Sequence, residues 1–294
     1  MKFSEYNLGL FYGALSFLMW GLFPIYFKQL TDCSAYEILA HRIFWSLVLL
    51  FILIRLSNRW QSLKTIFAKP KDVILLMAAG IFISMNWGIY IYAVNSNQIL
   101  ATSLGYFITP FIYLLFGVFI FKEKISLTGK LSVALLLLAL SIQIYAIKQL
   151  PLISLSLPLT FSIYGLIKKK VNVPTVEGLF IENTLICLFA IIYLSYLGID
   201  GTSHFKFDKN GLLLMGCGII TVLPLLTFNG AAARIKLSTI GFLQYLSPSV
   251  QISIAVFIYN ESLDSYKITS FLLIWVGLII MTTESIIKRK KGRK

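Results

Sequence analysis

The sequence contains few charged residues for its length. Asp, Glu, Lys and Arg make up only 13% of the 294 residues, whereas hydrophobic residues make up 58%. A soluble domain carries about 25% charged residues. Long polar intervals are also missing, because the longest stretches between apolar runs, at about 57–72 and 198–211, are too short for a soluble domain. The low charge content excludes a soluble protein. Because no polar interval is long enough to form a separate domain, any functional site must lie inside a bundle of membrane helices.

Cysteine is scarce, and the sequence has no nucleotide-binding motif. Cys33, Cys187 and Cys217 show no metal-binding spacing, and the last two lie inside apolar runs. We therefore expect no disulfide framework, no metal and no cofactor, and we interpret Cys187 and Cys217 as inert buried thiols. Without a nucleotide-binding motif, any driving force must be an ion gradient or the gradient of the substrate itself.

The sequence does contain ten apolar runs. An α-helix needs about 20 apolar residues to cross the hydrocarbon core of a bilayer. Runs of this kind cover about 8–27, 36–56, 73–95, 99–121, 129–147, 150–167, 176–197, 212–233, 238–258 and 267–287. The predicted fold class is therefore all-α and integral to the membrane, with ten transmembrane helices.

Basic residues are distributed unevenly between the two sides of these runs. The net charge is +14, and twenty of the 26 Lys and Arg residues fall on the side that holds both termini. The positive-inside rule then predicts an even number of spans with the N- and C-termini in the cytoplasm. We interpret the basic tail 288–294 as an anchor beside anionic lipid, so the expected partner is the bilayer and not nucleic acid.

Two stretches of the sequence resemble each other. Ser103–Pro110 and Phe242–Pro248 each end with a hydroxyl residue before a proline, and Glu123 and Glu261 each follow thirteen residues after that proline. These glutamates fall at the ends of their runs. We therefore interpret them as helix-end or loop anchors and not as substrate ligands.

The repeat relates the two halves of the chain. Aligning the two prolines gives an offset of 138 residues, and aligning Glu37 with Glu177 gives 140. Five spans are an odd number, so the second half enters from the opposite side, as in many transporters built from inverted repeats. We predict one five-helix repeat over 1–147, an inverted one over 148–287, and the cytoplasmic tail over 288–294.

Ionisable residues inside the apolar runs are the main candidates for function. Arg42 lies in the second run and Glu182 in the seventh, where a charge costs several kcal/mol unless it is paired or hydrated. Either Arg42 extends outward to the interface, or it lines a polar cavity and binds an anionic substrate group or a gate carboxylate. The two side chains are expected roughly 9–12 Å apart along the axis, so either each serves the cavity on its own side, or a bound substrate or water bridges them.

Polar and aromatic side chains inside the runs complete the predicted site. Asn86 is expected to point into the bundle, towards either substrate or another helix, and Glu284 towards the basic tail. Spans five and ten should pack at the periphery. The predicted substrate-binding or gating residues are Trp20, His41, Arg42, Trp45, Asn86, Trp87, Tyr90, Tyr106, Tyr164, Glu182, Asn183, Thr221, Gln244 and Tyr245, and the predicted helix breaks are Pro24, Pro110, Pro224 and Pro248.

The chain resembles the RarD subfamily of the EamA group, within the drug/metabolite transporter superfamily. The resemblance rests on residues spread over nearly the whole sequence: Trp20, Gly21, Pro24, Tyr26, Phe27, Lys28, Glu37, His41, Arg42, Trp45, Ser46, Asn86, Trp87, Ser103–Phe107, Pro110, Tyr164, Gly165, Gly178, Leu179, Glu182, Thr221, Pro224, Leu225, Gln244, Tyr245, Pro248 and Glu261. Thr109 stands where the family pattern leads us to expect Asn.

This resemblance implies a ten-helix permease of the inner membrane with a central substrate cavity and cytoplasmic termini. Members are commonly described as chloramphenicol-sensitive or permease proteins, and related groups export amino acids and other metabolites. We therefore predict a secondary transporter, an exporter of small metabolites or drugs across the bacterial inner membrane by alternating access. We expect it to be a monomer or a homodimer and to have no enzymatic activity.

Three questions stay open from the sequence. Proton coupling through His41 or Glu182 is one, because histidine titrates near neutral pH and burial raises the pKa of a carboxyl group. An integral-membrane enzyme is an alternative function, and Glu37 with His41 is its only candidate catalytic pair. A channel is the other alternative, although an internal repeat argues against it.

Overall fold

The computed structural model describes residues 5–120, 122, 124–171, 173–235, 240 and 243–291. Glu123 and Phe242, which contribute to the predicted repeat, lie outside these ranges. Within them the chain forms helices and turns without any strand, in agreement with the predicted all-α class.

Twelve α-helices occur in the described ranges. They are α1 (Glu5–Gly21), α2 (Phe23–Phe27), α3 (Ala35–Leu56), α4 (Trp60–Phe67), α5 (Pro70–Asn95), α6 (Ile99–Phe119), α7 (Leu127–Ile147), α8 (Leu152–Lys170), α9 (Thr175–Asp200), α10 (Lys209–Ala232), α11 (Leu246–Ser253) and α12 (Ser265–Lys291). A 3₁₀ turn, Lys28–Leu30, follows α2, and a π-helical turn, Ile254–Ile258, follows α11.

Seven of the ten predicted spans coincide with a helix that is long and apolar enough to cross a membrane. These are α1 with its continuation to Leu30, α3, α5, α6, α7, α9 and α10. The other three coincide with shorter apolar helices, Leu152–Lys168, Leu246–Ile258 and Ser265–Met281. The chain therefore has the helices of a multi-pass membrane protein, and the count of ten spans stays a prediction.

The four prolines that were expected to break helices differ in their positions. Pro24 lies in the first turn of α2, and Pro248 lies near the start of α11, where the absence of a backbone N–H costs no helical hydrogen bond. Pro110 and Pro224 instead lie inside α6 and α10, which continue through them. No helix break is seen at these two positions, because a proline removes a single hydrogen bond and can bend a well-packed helix without ending it.

The long helices pack in a regular pattern. Helix α3 packs against α9 and α10, α5 against α8 and α9, α1 against α10 and α11, and α6 against α8 and α11. Helix α7 packs mainly against α12, and it has the smallest buried share of the seven candidate spans. This agrees with the expectation that spans five and ten lie at the periphery.

The two similar stretches meet in the middle of the bundle. The Ser103 hydroxyl donates a hydrogen bond of 2.8 Å to the carbonyl oxygen of Pro248, and Phe107 stacks on Tyr245 with ring centroids 6.1 Å apart. Glu261 accepts hydrogen bonds from the backbone N–H groups of Ile99 and Leu100 at 2.6 and 2.8 Å. Since these N–H groups open α6, the expected role of Glu261 as a helix-end anchor is confirmed.

Glu284 has a partner that the sequence did not indicate. Its carboxylate accepts a hydrogen bond of 2.8 Å from the Ser126 hydroxyl. The expected contact with the basic tail stays a prediction, because the side chains of 288–294 lie outside the described part of the chain. Ser126 also caps α7 by accepting the N–H of Gly129 at 3.0 Å. Glu284 therefore helps to join α12 to the start of α7.

Candidate functional site

Arg42 lies near the Ser34-capped start of α3, and its side chain is buried. It is 3% exposed, and its Nε donates a hydrogen bond of 2.8 Å to the Thr221 hydroxyl on α10. The guanidinium carbon lies 4.2 Å from the ring centroid of Trp87, and the rings of Phe23 and Phe27 lie 5.4 and 5.6 Å away. In the part of the chain that the structure describes, no acidic side chain forms an ion pair with Arg42.

Tyrosine and asparagine side chains continue this cluster. Tyr106 donates a hydrogen bond of 3.2 Å to the amide oxygen of Asn86. The amide nitrogen of Asn86 donates to the carbonyl oxygen of Leu157 and to the Thr160 hydroxyl, both on α8, at 2.8 and 3.1 Å. Asn86 therefore links helices, which was one of the two alternatives left open by the sequence. The buried Tyr90 hydroxyl has no hydrogen-bond partner among the described residues.

The segment 201–208, between α9 and α10, covers one end of the cluster. Phe205 stacks on His41 with a centroid distance of 5.1 Å and lies 6.3 Å from the ring of Trp45. Among the described residues, neither ring nitrogen of His41 nor the indole nitrogen of Trp45 has a hydrogen-bond partner. The side chain of Glu37 points to His204 and not to His41, so the pair proposed for an enzyme is not formed.

Glu182 belongs to a second polar cluster on α8 and α9. Its carboxylate is 1% exposed, lies 2.5 Å from the Lys168 ammonium group and accepts a hydrogen bond of 3.3 Å from Tyr164. Asn183 donates to the carbonyl oxygen of Leu179 in its own helix at 2.8 Å. Arg42 and Glu182 thus have separate partners. Lys168 was missed as a functional residue because the sequence places it at the charged end of a span.

The remaining predicted residues lie near α1 and α11. Trp20 packs edge-on against Phe17, and its carbonyl oxygen accepts a hydrogen bond of 3.4 Å from Gln251. Gln244 and Tyr245 form the turn that precedes α11. The predicted set therefore falls into three groups: the cluster of Arg42 with His41, Trp45, Asn86, Trp87, Tyr90, Tyr106 and Thr221; the cluster of Glu182 with Tyr164 and Asn183; and the group of Trp20, Gln244 and Tyr245.

Two contacts between a carboxylate and a basic side chain hold opposite ends of the α3 and α9 pair. Glu37, in the first turn of α3, lies 2.7 Å from the ring nitrogen Nδ1 of His204, which follows α9. Glu177, in the first turn of α9, lies 3.3 Å from Arg59, which follows α3. Both carboxylates are 1% exposed. We call these the Glu37 end and the Glu177 end; the basic partners were missed because each is more than 100 residues away along the chain.

An apolar groove opens on the side of the bundle. It has a volume of about 710 Å³ and lies between α3, α5, α8 and α9, with lining side chains such as Leu39, Ile43, Met85 and Ile153. No side chain of the Arg42 cluster lines it. The groove and the Arg42 cluster are therefore separate features, and Arg42 is enclosed while the groove is open.

The cluster has the chemistry of an anion-binding site with aromatic walls. A guanidinium group offers up to five N–H donors, and Arg42 uses one of them within the described residues. Ring faces of Trp87, Phe23 and Phe27 fix the guanidinium and supply apolar surface. The arrangement offers N–H donors for an anionic group next to aromatic rings.

The sequence matches the model of a known protein family in both of its halves. The model of the EamA-like transporter family matches residues 7–145 and again residues 151–283. A solved crystal structure of another protein has the same fold, with a TM-score of 0.58 and 15% sequence identity over 92% of this chain and 96% of that chain.

Several curated bacterial proteins are similar over the full length. An uncharacterized transporter of Vibrio cholerae is 39% identical over 280 residues, which are 95% of this chain and 93% of the relative. Protein RarD of Escherichia coli is 34% identical over 296 residues, and the uncharacterized transporter YojE of Bacillus subtilis is 37% identical over 298 residues, with at least 99% of each chain covered. The chain therefore belongs to the EamA-like transporter family, in its RarD group of drug/metabolite transporters.

Proposed function

We propose that the chain is a secondary transporter that exports a small amphipathic metabolite carrying an anionic group. The observation that carries this proposal is the buried Arg42 guanidinium, which has no acidic partner among the described residues. A buried charge without a counter-charge costs several kcal/mol. A substrate carboxylate or other anion would offset this cost, and the rings of Trp87, Phe23 and Phe27 would contact its apolar part.

Alternating access between two inverted five-helix repeats, 1–147 and 148–287, is the proposed mechanism. The packing pattern supports it, because exchanging each long helix for its counterpart in the other half reproduces the main contacts between long helices. Two close contacts between helices are also related by this exchange of the two halves. Gly80 on α5 touches the backbone of Glu182 on α9, and Gly218 on α10 touches the backbone of Trp45 on α3. These two glycines are 138 residues apart, the offset of the prolines.

The contacts of Glu37 with His204 and of Glu177 with Arg59 are proposed to close opposite sides of the transporter. We place the Glu37 end outside and the Glu177 end in the cytoplasm, together with both termini, in agreement with the distribution of basic residues. Breaking the contact of Glu37 with His204 would free the segment 201–208, and with it Phe205, from the end of the Arg42 cluster. Breaking the contact of Glu177 with Arg59 would free the segment after α3.

The two alternative functions receive less support. An enzyme of the type considered would need a carboxylate and a histidine acting together, but Glu37 binds His204 while His41 stacks on Phe205. A channel would need a continuous polar path, whereas the Arg42 cluster is enclosed by buried side chains. Monomer or homodimer stays a prediction, as does proton coupling through His41 or Glu182.

Counterflow in proteoliposomes tests the proposal. Purified protein is reconstituted into proteoliposomes. The proteoliposomes are preloaded with one compound at a time from a panel of amino acids and aromatic metabolites, and transport is measured with and without an imposed pH gradient. Saturable counterflow of at least one anionic compound is the expected result. Uptake that never saturates would favour a channel, and chemical conversion without translocation would favour an enzyme. If substrate accumulation changes when the pH gradient is imposed, transport is coupled to protons; if it does not change, transport is not coupled to protons.

A further inference from the structure

We propose that Cys33, Glu37 and His204 form a binding site for a zinc-like divalent metal ion at the Glu37 end of the bundle. Their ligand atoms, the Cys33 sulfur, a Glu37 carboxylate oxygen and a His204 ring nitrogen, all lie within 4.8 Å of one another. This site goes beyond the proposed transport function, since the Arg42 guanidinium donates to Thr221 and not to any of the three residues, and metal binding can be measured without transport.

The fold holds each of the three ligands in place. Cys33 is 3% exposed and lies in the turn before α3, where its N–H donates to the carbonyl oxygen of Leu30 at 3.1 Å. Glu37 is in the first turn of α3, and its N–H donates to the Ser34 hydroxyl at 3.1 Å. The backbone N–H of His204 donates to the Glu37 carboxylate at 2.7 Å. The ligands are thus positioned by backbone contacts, which favours metal binding.

The ligand set favours zinc over magnesium or calcium. Thiolate, imidazole and carboxylate are the zinc ligands of proteins, whereas magnesium and calcium prefer oxygen atoms alone. Ligand atoms about 2.0–2.3 Å from a tetrahedral zinc ion are roughly 3.5 Å apart. Cys33 must therefore approach by up to about 1.3 Å, and the contact of 2.7 Å between Glu37 and His204 must open by about 0.8 Å, to reach this spacing. The His204 side chain is 44% exposed, so water can reach a fourth position.

Negative charge is concentrated at this point of a basic protein. Asp32 and Asp208, besides Glu37, are the acidic groups whose charges act on Cys33. The whole chain has only 12 acidic residues against 26 basic ones. These carboxylates therefore create a local potential that attracts a dication.

A simple hydrogen-bonded pair of Glu37 and His204 is the alternative explanation of the same geometry. Glu37 and His204 would then only fix the segment 201–208, and Cys33 would be a small buried side chain beside them. The two explanations differ in the role of Cys33, because the hydrogen-bonded pair does not use the sulfur atom. Cys33→Ser is therefore the variant that separates them, since it leaves Glu37 and His204 in place.

Metal titration of the full-length protein tests the site. The purified protein in detergent is treated with a chelator, then titrated with Zn²⁺ in competition with a chromophoric chelator, and separately with Co²⁺ to record the thiolate-to-cobalt charge-transfer absorption. Cys33→Ser and His204→Gln are compared with Cys187→Ser, which removes a buried thiol on α9 outside the cluster. Thermal unfolding confirms that each variant is folded.

We expect one zinc ion per chain in the native protein. Cys33→Ser and His204→Gln should each lower the zinc affinity at least about tenfold, while Cys187→Ser leaves it unchanged. The thiolate absorption of the cobalt form should disappear in Cys33→Ser and persist in Cys187→Ser. The absence of zinc binding by the native protein, or equal affinities of the native protein and folded Cys33→Ser, would overturn the proposal.

Discussion

Gly80 offers a sharp test of the contact between α5 and α9. A Cβ atom at this position would lie 2.3 Å from the carbonyl oxygen of Glu182 and 3.0 Å from its carbonyl carbon. These are backbone atoms, so no side-chain rotation can relieve the overlap. Non-bonded heavy atoms need a separation of roughly 3.3 Å or more. An alanine at position 80 would therefore increase the distance between the two helices by about 1 Å at this point.

The expected magnitude follows from two opposing effects. Alanine in place of glycine stabilises a helix by about 0.5–1 kcal/mol, while overpacking of a tight interface costs about 1–3 kcal/mol. Gly198 on α9 is the matched control, because nothing lies within 4 Å of a Cβ built there. The propensity effect is common to both substitutions. Gly80→Ala should therefore be about 1–3 kcal/mol less stable than Gly198→Ala.

Reversible unfolding in mixed micelles, followed by tryptophan fluorescence, measures this difference. Gly80→Ala should unfold at a lower denaturant concentration than Gly198→Ala, which should match or exceed the native protein. Gly218→Ala should behave like Gly80→Ala, since its Cβ would lie 2.6 Å from backbone atoms of Trp45. Equal stabilities of Gly80→Ala and Gly198→Ala would show that α5 and α9 are not in backbone contact and would refute this reasoning.

Two further predictions concern the anchors of the helices. Glu261→Ala leaves the N–H groups of Ile99 and Leu100 without their partner and should cost about 1–2 kcal/mol of unfolding free energy. Glu5→Ala, which removes a pair exposed to solvent, should change stability much less in the same denaturation assay. Glu37→Gln should accelerate amide hydrogen exchange in the segment 201–208, whereas Glu177→Gln should not; equal exchange in both variants would contradict the proposed closure at the Glu37 end.

The helices could be predicted from the sequence because hydrophobicity is a local property of the chain. Seven predicted spans coincide with helices of spanning length. The anchoring role of Glu261 was also predictable, since it falls at the end of an apolar run. The repeat indicated two related polar clusters, and the structure gives Arg42 and Glu182 separate partners.

Contacts between distant segments could not be predicted in the same way. Lys168 was assigned to the boundary of its span, but its long side chain reaches back to Glu182. His204 follows Glu37 by 167 residues, so no spacing rule connects them. The expectation of no metal rested on cysteine spacing along the chain, which carries no information on Cys33, Glu37 and His204 once folding brings them together.

The role of Arg42 is the central claim, and one transport comparison tests it most directly. An anionic substrate found by counterflow and its uncharged methyl ester are measured side by side in the native protein, Arg42→Ala, Arg42→Lys and Arg55→Ala. Arg55 is the matched control because it is an exposed arginine on the same helix, α3.

Loss of a charged partner in a buried site costs about 2 kcal/mol or more, which corresponds to at least about a thirtyfold loss. Arg42→Ala should therefore lower transport of the anion at least about thirtyfold, with a smaller effect on the ester, partial activity in Arg42→Lys and native rates in Arg55→Ala. Native rates of anion transport by a correctly inserted Arg42→Ala protein would contradict the account.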